Sequence, residues 1–231
     1  MHNLLRSVLD IFYPLYCGAC NTPGSALCET CIDSFRIVDQ KEACPICGRP
    51  IGKTILCGAC MEQKRTYSHG YFGFYFEDKL RDTIHAFKFR GRRDVGRLLV
   101  RLIEAKIRGI AHSFDVIVPI PVTWRRLMER GFNQSFIIGE EIAKITGKSI
   151  YPSVLVKTKK TRDQYLLSRE ERRKNVKGIF SVRNESSIEG KKVLLVDDLF
   201  TPGYTAREAS RCLIARSAGE VILFALARTP S

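Results

Sequence analysis

No stretch of the sequence approaches the ~18 consecutive apolar residues that a membrane-spanning helix needs, which excludes a helical membrane protein. The first sixteen residues, MHNLLRSVLDIFYPLY, also lack a continuous hydrophobic core and a small-residue cleavage site. Arg6, Asp10 and Pro14 interrupt them, so no export signal is expected and the expected location is cytoplasmic. Low-complexity tracts and a collagen-like period are missing, and no repeat is visible beyond paired cysteines. The 45% hydrophobic and 27% charged fractions are those of a folded globular chain, so global disorder is excluded. At 231 residues, the chain is sized for one large domain or a medium domain plus a small module.

Acidic residues are scarce: 24 Asp and Glu stand against 38 Lys and Arg, a net charge of +14. The excess is localised. Residues 85–134 and 151–192 carry +7 each, and the remainder balances to zero. Such windows suit a surface for phosphates or polyanions, although a solvated basic face produces the same pattern.

Cysteine is abundant only at one end. Eight of nine lie within 17–60, as four C-x2-C pairs: Cys17/Cys20, Cys28/Cys31, Cys44/Cys47 and Cys57/Cys60. Each pair presents two thiolates from one tight turn, and two pairs complete a tetrahedral shell for Zn2+. A disulfide framework would need an oxidising compartment. The spacings do not match the ferredoxin pattern for iron–sulfur clusters. Two structural zinc ions are therefore expected. Pairing can be sequential or crossed; sequential is favoured because each short loop can close alone. The ninth, Cys212, falls in a predicted helix as a small core residue.

After Cys60 the pattern becomes α/β. Strands are predicted at 71–76, 115–121, 153–158, 178–182, 191–198 and 221–227. Helices are predicted at 77–89, 94–111, 133–147 and around Cys212. Alternation of this kind specifies a mostly parallel sheet with helices on both faces. The expected division is residues 1–64 for an N-terminal helix and zinc-ribbon module, and 65–231 for the α/β domain.

The chemistry concentrates in VLLVDDLFTPGYT (193–205). A buried strand ends in Asp197 and Asp198, and a loop with Thr201, Gly203, Tyr204 and Thr205 leads into a helix. Ligands of open α/β sheets sit at this end of the strands, and loop amides at a helix N-terminus cradle phosphate. Acids beside a phosphate site make sense if the ligand offers sugar hydroxyls to them. The segment resembles the phosphoribosyl pyrophosphate (PRPP) motif of type I phosphoribosyltransferases. That resemblance implies that Asp197 and Asp198 contact ribose hydroxyls, that Thr201 through Thr205 wrap the 5′-phosphate, and that Mg2+ accompanies PRPP. Pro202 departs from the usual second Thr or Ser and lacks an N–H donor.

Arg125, Arg126 and Arg130 follow the strand at 115–121, where an arginine-rich loop is expected to grip pyrophosphate. Lys88, Arg90, Arg162, Arg169 and Arg172 complete the cationic candidates for pyrophosphate or nucleic acid. Phe87, Phe89, Trp124, Phe132 and Tyr165 interleave with them. Core packing is expected for most, with Trp124 on a loop as the candidate for base stacking.

Several segments together resemble the ComF family: LLRSVLDIFYP, the cysteine pairs, FKFRGRRDVGRLL (87–99), VPIPVTWRRLMERGFNQ (118–134), the R-x-Q-x-x-L-x-x-x-x-R-x-x-N-V run from Arg162 to Val176, and the PRPP motif. The resemblance covers nearly the whole chain. It implies a double zinc ribbon on a type I phosphoribosyltransferase-like domain in a bacterial cytoplasmic protein, with a role in DNA uptake and natural transformation. A loop in the second basic window is implied to close over the substrate. Three functions compete: a single-stranded-DNA-binding protein with a PRPP-type site, an active phosphoribosyltransferase on an unidentified acceptor, and a scaffold with a vestigial loop whose zinc head docks a helicase or recombination partner. No nucleobase-binding segment is recognisable after the PRPP loop, which weighs against ordinary base salvage.

Overall fold

The computed structural model describes residues 15–52, 55–62, 66–158, 178–201 and 203–230. The helix expected over 4–14, together with Arg162, Tyr165, Arg169, Arg172 and Pro202, lies outside these residues.

Five strands form one parallel sheet: β1 (His69–Tyr75), β2 (Val116–Pro119), β3 (Ser149–Ile150), β6 (Lys192–Phe200) and β7 (Glu220–Arg228). Their spatial order is β1-β7-β6-β2-β3. The weaker candidates, β4 (Leu155–Lys157) and β5 (Phe180–Val182), pair antiparallel with each other as a separate hairpin. The fold is α/β with helices on both faces of a parallel sheet, as the alternation predicts.

Strand side chains alternate between faces, so each central strand feeds two cores. Val193, Leu195, Val221 and Leu223 pack with Ala206, Ala209 and Leu213 of α8 (Tyr204–Ile214) and with the β4–β5 hairpin. Leu194, Val196, Ile222 and Phe224 pack beneath α3 (Asp78–Phe89), α4 (Arg93–Leu102), α5 (Glu104–Ile110) and α7 (Gln134–Thr146). The cysteine-rich head straddles the β1 edge. Its first knuckle, which carries α1 (Glu29–Asp33), places Cys17, Leu27 and Cys31 in the second core. Its second knuckle, which carries α2 (Gly58–Met61), places Cys44, Ile46, Cys47, Cys57 and Cys60 in the first. The Lys106 ammonium of α5 sits between the two parts, donating to the carbonyls of Val38 and Phe72.

Two sequence expectations change. The helix predicted over 94–111 breaks at Ile103 into α4 and α5, which lets Ile107 and Ile110 stay against the core. Residues after β2 do not form an arginine-rich loop. They form helix α6 (Trp124–Arg130), because the Thr123 hydroxyl caps the Arg126 N–H and Gly131 closes the other end in the left-handed conformation at φ 73°.

Candidate functional site

The four C-x2-C turns gather sequentially. Cys17, Cys20, Cys28 and Cys31 form one cluster; Cys44, Cys47, Cys57 and Cys60 form the other. Within each set the sulfurs lie within 4.8 Å of one another, and all nine cysteines are free thiols. Four unbridged thiolates at that spacing fit a tetrahedral structural zinc, with no open position for catalysis. Cys212 is half-buried on α8 and donates to the Phe180 carbonyl at 3.5 Å, a packing role.

A cleft of about 250 Å3 opens at the carboxyl ends of β2 and β6. Lys88, Thr123, Arg126, Arg130, Ser135, Lys157, Asp197, Asp198, Thr201, Gly203 and Thr205 all face it. The topology explains the assembly. β6 runs on to Phe200, delivering both acids at its end, and Gly203 (φ 75°) turns the chain into α8. A Cβ at Gly203 would lie 2.7 Å from the Phe200 ring, so this close turn requires glycine.

The acid pair is held from two sides. Lys88, at the end of α3, pairs with Asp198 at 3.1 Å, both side chains being largely buried. Ser135, in the first turn of α7, donates to Asp197 at 3.3 Å, and the Asp198 N–H donates to the same carboxylate at 2.9 Å. Burial, and then the neighbouring Asp198 charge, push the Asp197 carboxyl up to about 7; Lys88 and the two hydrogen bonds oppose the rise. Across the cleft, burial and then the Arg126 charge push the Lys157 amine down to about 8, while Asp197 acts against them. Four cations thus surround two carboxylates, one of which resists ionising.

The RGFNQ run builds the wall beside the acids. Arg130 donates to the Gln134 side-chain carbonyl at 2.9 Å and lies 4.8 Å over the Phe89 ring. Asn133 ties the turn to β2 through the Ile120 carbonyl at 3.0 Å and caps Ser135 at 3.0 Å. Phe132 is buried against Phe87, with ring centres 5.6 Å apart.

Not every candidate reaches the cleft. Arg125 is exposed on the outer face of α6, where Glu129 pairs with it at 2.7 Å. Arg90 is exposed at the end of α3, and Tyr204 packs toward the core. Phe87 and Phe132 are core residues, as expected for most of the aromatics, whereas Phe89 and Trp124 are exposed. Trp124 opens a helix rather than sitting on a loop. Thr123, Ser135 and Lys157 are additions that the sequence did not single out. Thr123 carried a readable signal, an N-cap three residues before an arginine. Ser135 and Lys157 arrive from distant elements.

The double zinc ribbon family model matches residues 8–61. The DNA utilization protein YhgH of Escherichia coli K12 is 28% identical over 226 residues, covering 94% of this chain and 98% of that protein. The competence protein ComFC of Bacillus subtilis is 28% identical, covering 90% and 86%. Competence protein F of Haemophilus influenzae is 27% identical, covering 74% and 78%. Together these likenesses support a ComF-family protein.

Solved structures similar to this chain include adenine phosphoribosyltransferase from Leishmania tarentolae, at TM-score 0.38 and 14% identity, covering 62% of this chain and 74% of that one. Glutamine PRPP amidotransferase from B. subtilis gives TM-score 0.35 and 22% identity, covering 58% and 26%. Among the described residues, no helix is long and apolar enough to cross a membrane.

Proposed function

We propose that the cleft binds a 5-phosphoribosyl ligand, with PRPP and Mg2+ as its natural form, and that the surrounding basic surface binds single-stranded DNA in the service of DNA uptake. One observation carries the ligand reading: an acid pair and a Thr/Gly loop at a helix N-terminus share one cleft with four cations. The loop and the α8 N-terminus suit the 5′-phosphate. Asp197 and Asp198 suit the ribose diol. Arg126, Arg130 and Lys157 suit the pyrophosphate. The acid pair is not a cage for a bare divalent ion, because Lys88 already occupies Asp198. Mg2+ fits as an ion that arrives with the pyrophosphate and keeps its waters.

The DNA reading rests on the two +7 windows, on the exposed Phe89 and Trp124, and on the competence and DNA-utilization names of the relatives. Transfer of the phosphoribosyl group to an acceptor is the second reading. Arg126, Arg130 and Lys157 favour it, because they face the cleft where charge on a departing pyrophosphate would develop. A scaffold role would use the exposed Ile55 and Met61 of the head to dock a helicase or recombination partner.

The test is calorimetric titration with PRPP and Mg2+ of the zinc-loaded protein and of an Asp197→Asn/Asp198→Asn variant. Binding by the native protein that the variant loses is the expected result. Equal binding by both removes the acids from the site, and no binding by either ends the ligand reading.

A further inference from the structure

Three successive stretches of one segment, residues 88–95, touch three different parts of the molecule. Lys88 pairs with Asp198 in the cleft at 3.1 Å. Arg92 donates to the Tyr16 carbonyl at 2.6 Å, immediately before the first zinc ligand Cys17, while its fork is held by Asp94 at 2.7–3.2 Å. Arg93 donates to the Gly131 carbonyl at 2.9 Å and stacks 4.8 Å over Phe132. Gly131 and Phe132 lie between Arg130 and Ser135, which both face the cleft. Val95 is wholly buried, and a Cβ on Gly18 of the first knuckle would lie 3.0 Å from it. The metal-binding turn therefore rests on the same short segment that braces the cleft wall from behind.

We propose that metal occupancy of the Cys17–Cys31 site sets the grip of the cleft on its phosphoribosyl ligand, with Arg92 and Arg93 as the positioning residues that carry the coupling. The proposal rests on the ligand reading above. With metal bound, the Tyr16 carbonyl is fixed and holds Arg92. The 91–93 turn then fixes Gly131, and with it the directions of Arg130 and Ser135. The second site, Cys44–Cys60, packs in the opposite core and, among the described residues, shows no such link to α6 and α7.

Coupling between two sites is reciprocal, so the ligand must strengthen the first metal site by the factor by which that metal strengthens the ligand. The probe is ribose 5-phosphate, a weak chelator, added at saturation to the full-length two-zinc protein. The expected result is that it slows chelator removal of one zinc equivalent about tenfold, within the usual range of coupling, and leaves the other unchanged. Arg92→Ala, still holding two zinc ions, should bind ribose 5-phosphate about tenfold more weakly and abolish the protection. Arg216→Ala, an equal loss of charge on the opposite side of the sheet where it pairs with Glu185, should do neither. A ligand-independent readout is amide exchange: Arg92→Ala should speed exchange at 127–137 and leave β6 and β7 unchanged. Native exchange at 127–137 in Arg92→Ala, or ligand protection that persists in it, overturns the coupling. Failure of native protein to bind ribose 5-phosphate, with exchange altered as expected, would instead place the failure on the ligand reading.

Discussion

Asp197→Asn should stabilise the free protein, and more so at pH 8 than at pH 5. The folded state pushes the Asp197 carboxyl up to about 7, chiefly by burial and then by the Asp198 charge. An unfolded chain leaves an aspartate near its ordinary value of about 3.9. The folded form thus binds this proton more tightly than the unfolded form. Its contribution to stability is fully present below about pH 4 and is lost as pH rises through about 7. Between pH 5 and 7 that loss amounts to at most about 3 kcal/mol, two units at about 1.4 kcal/mol each. Solvent reaching the half-buried carboxyl brings the expected figure to about 1–2 kcal/mol. Asparagine keeps an acceptor for Ser135 and the Asp198 N–H and never ionises. Urea unfolding of native and variant protein at the two pH values measures the effect as a double difference, which cancels the pH response shared by the zinc thiolates. A stabilisation that is equal at pH 5 and pH 8, or larger at pH 5, would mean that the folded state does not hold the Asp197 proton more tightly than the unfolded chain does.

Three further outcomes follow from the geometry. Cys44→Ser should reduce bound zinc from two equivalents to one and destabilise the sheet as well as the head, since Cys44 shares a core with Leu195 and Leu223; metal analysis with thermal unfolding checks both. Gly203→Ala should abolish phosphoribosyl binding in calorimetry while both zinc ions stay bound, because φ 75° and a Cβ 2.7 Å from Phe200 force the loop to move. Arg126→Ala should flatten the salt dependence of single-stranded DNA binding by about one unit, whereas Arg125→Ala, already paired with Glu129 away from the cleft, should change it little.

Much of this arrangement is legible in the chain. The C-x2-C spacing announces thiolate clusters, but it leaves sequential and crossed pairing open; short loops favour the sequential pairing that the structure shows. KVLLVDD reads as a buried strand ending in acids, because four apolar residues with no polar break must be covered on both faces. Thr123 and Gly131 bracket a helix, but about two turns with no buried residue leave too weak a periodicity to outweigh its loop-like charge. The break at Ile103 is hidden for the opposite reason: the apolar spacing continues through it, and only packing against the sheet turns α5 away. Ser135 and Lys157 carry no local mark. One is an ordinary serine after an N-cap asparagine, and the other is a lysine on a three-residue strand. Both gain meaning only when α7 and the β4–β5 hairpin bring them to Asp197. Arg125 and Arg126 are indistinguishable as letters, yet the rotation of about 100° between successive residues of α6 sends them to different sides.

In the proposed function the acids and the loop after β6 recognise one phosphoribosyl group together. A crystal structure of the zinc-loaded protein with PRPP and Mg2+ would show whether they do. The expected complex has the 5′-phosphate within hydrogen-bond distance of the 201–205 loop, the ribose hydroxyls on Asp197 and Asp198, and the pyrophosphate beside Arg126 and Lys157. A ligand bound elsewhere, or one whose ribose leaves Asp197 and Asp198 untouched, would contradict it.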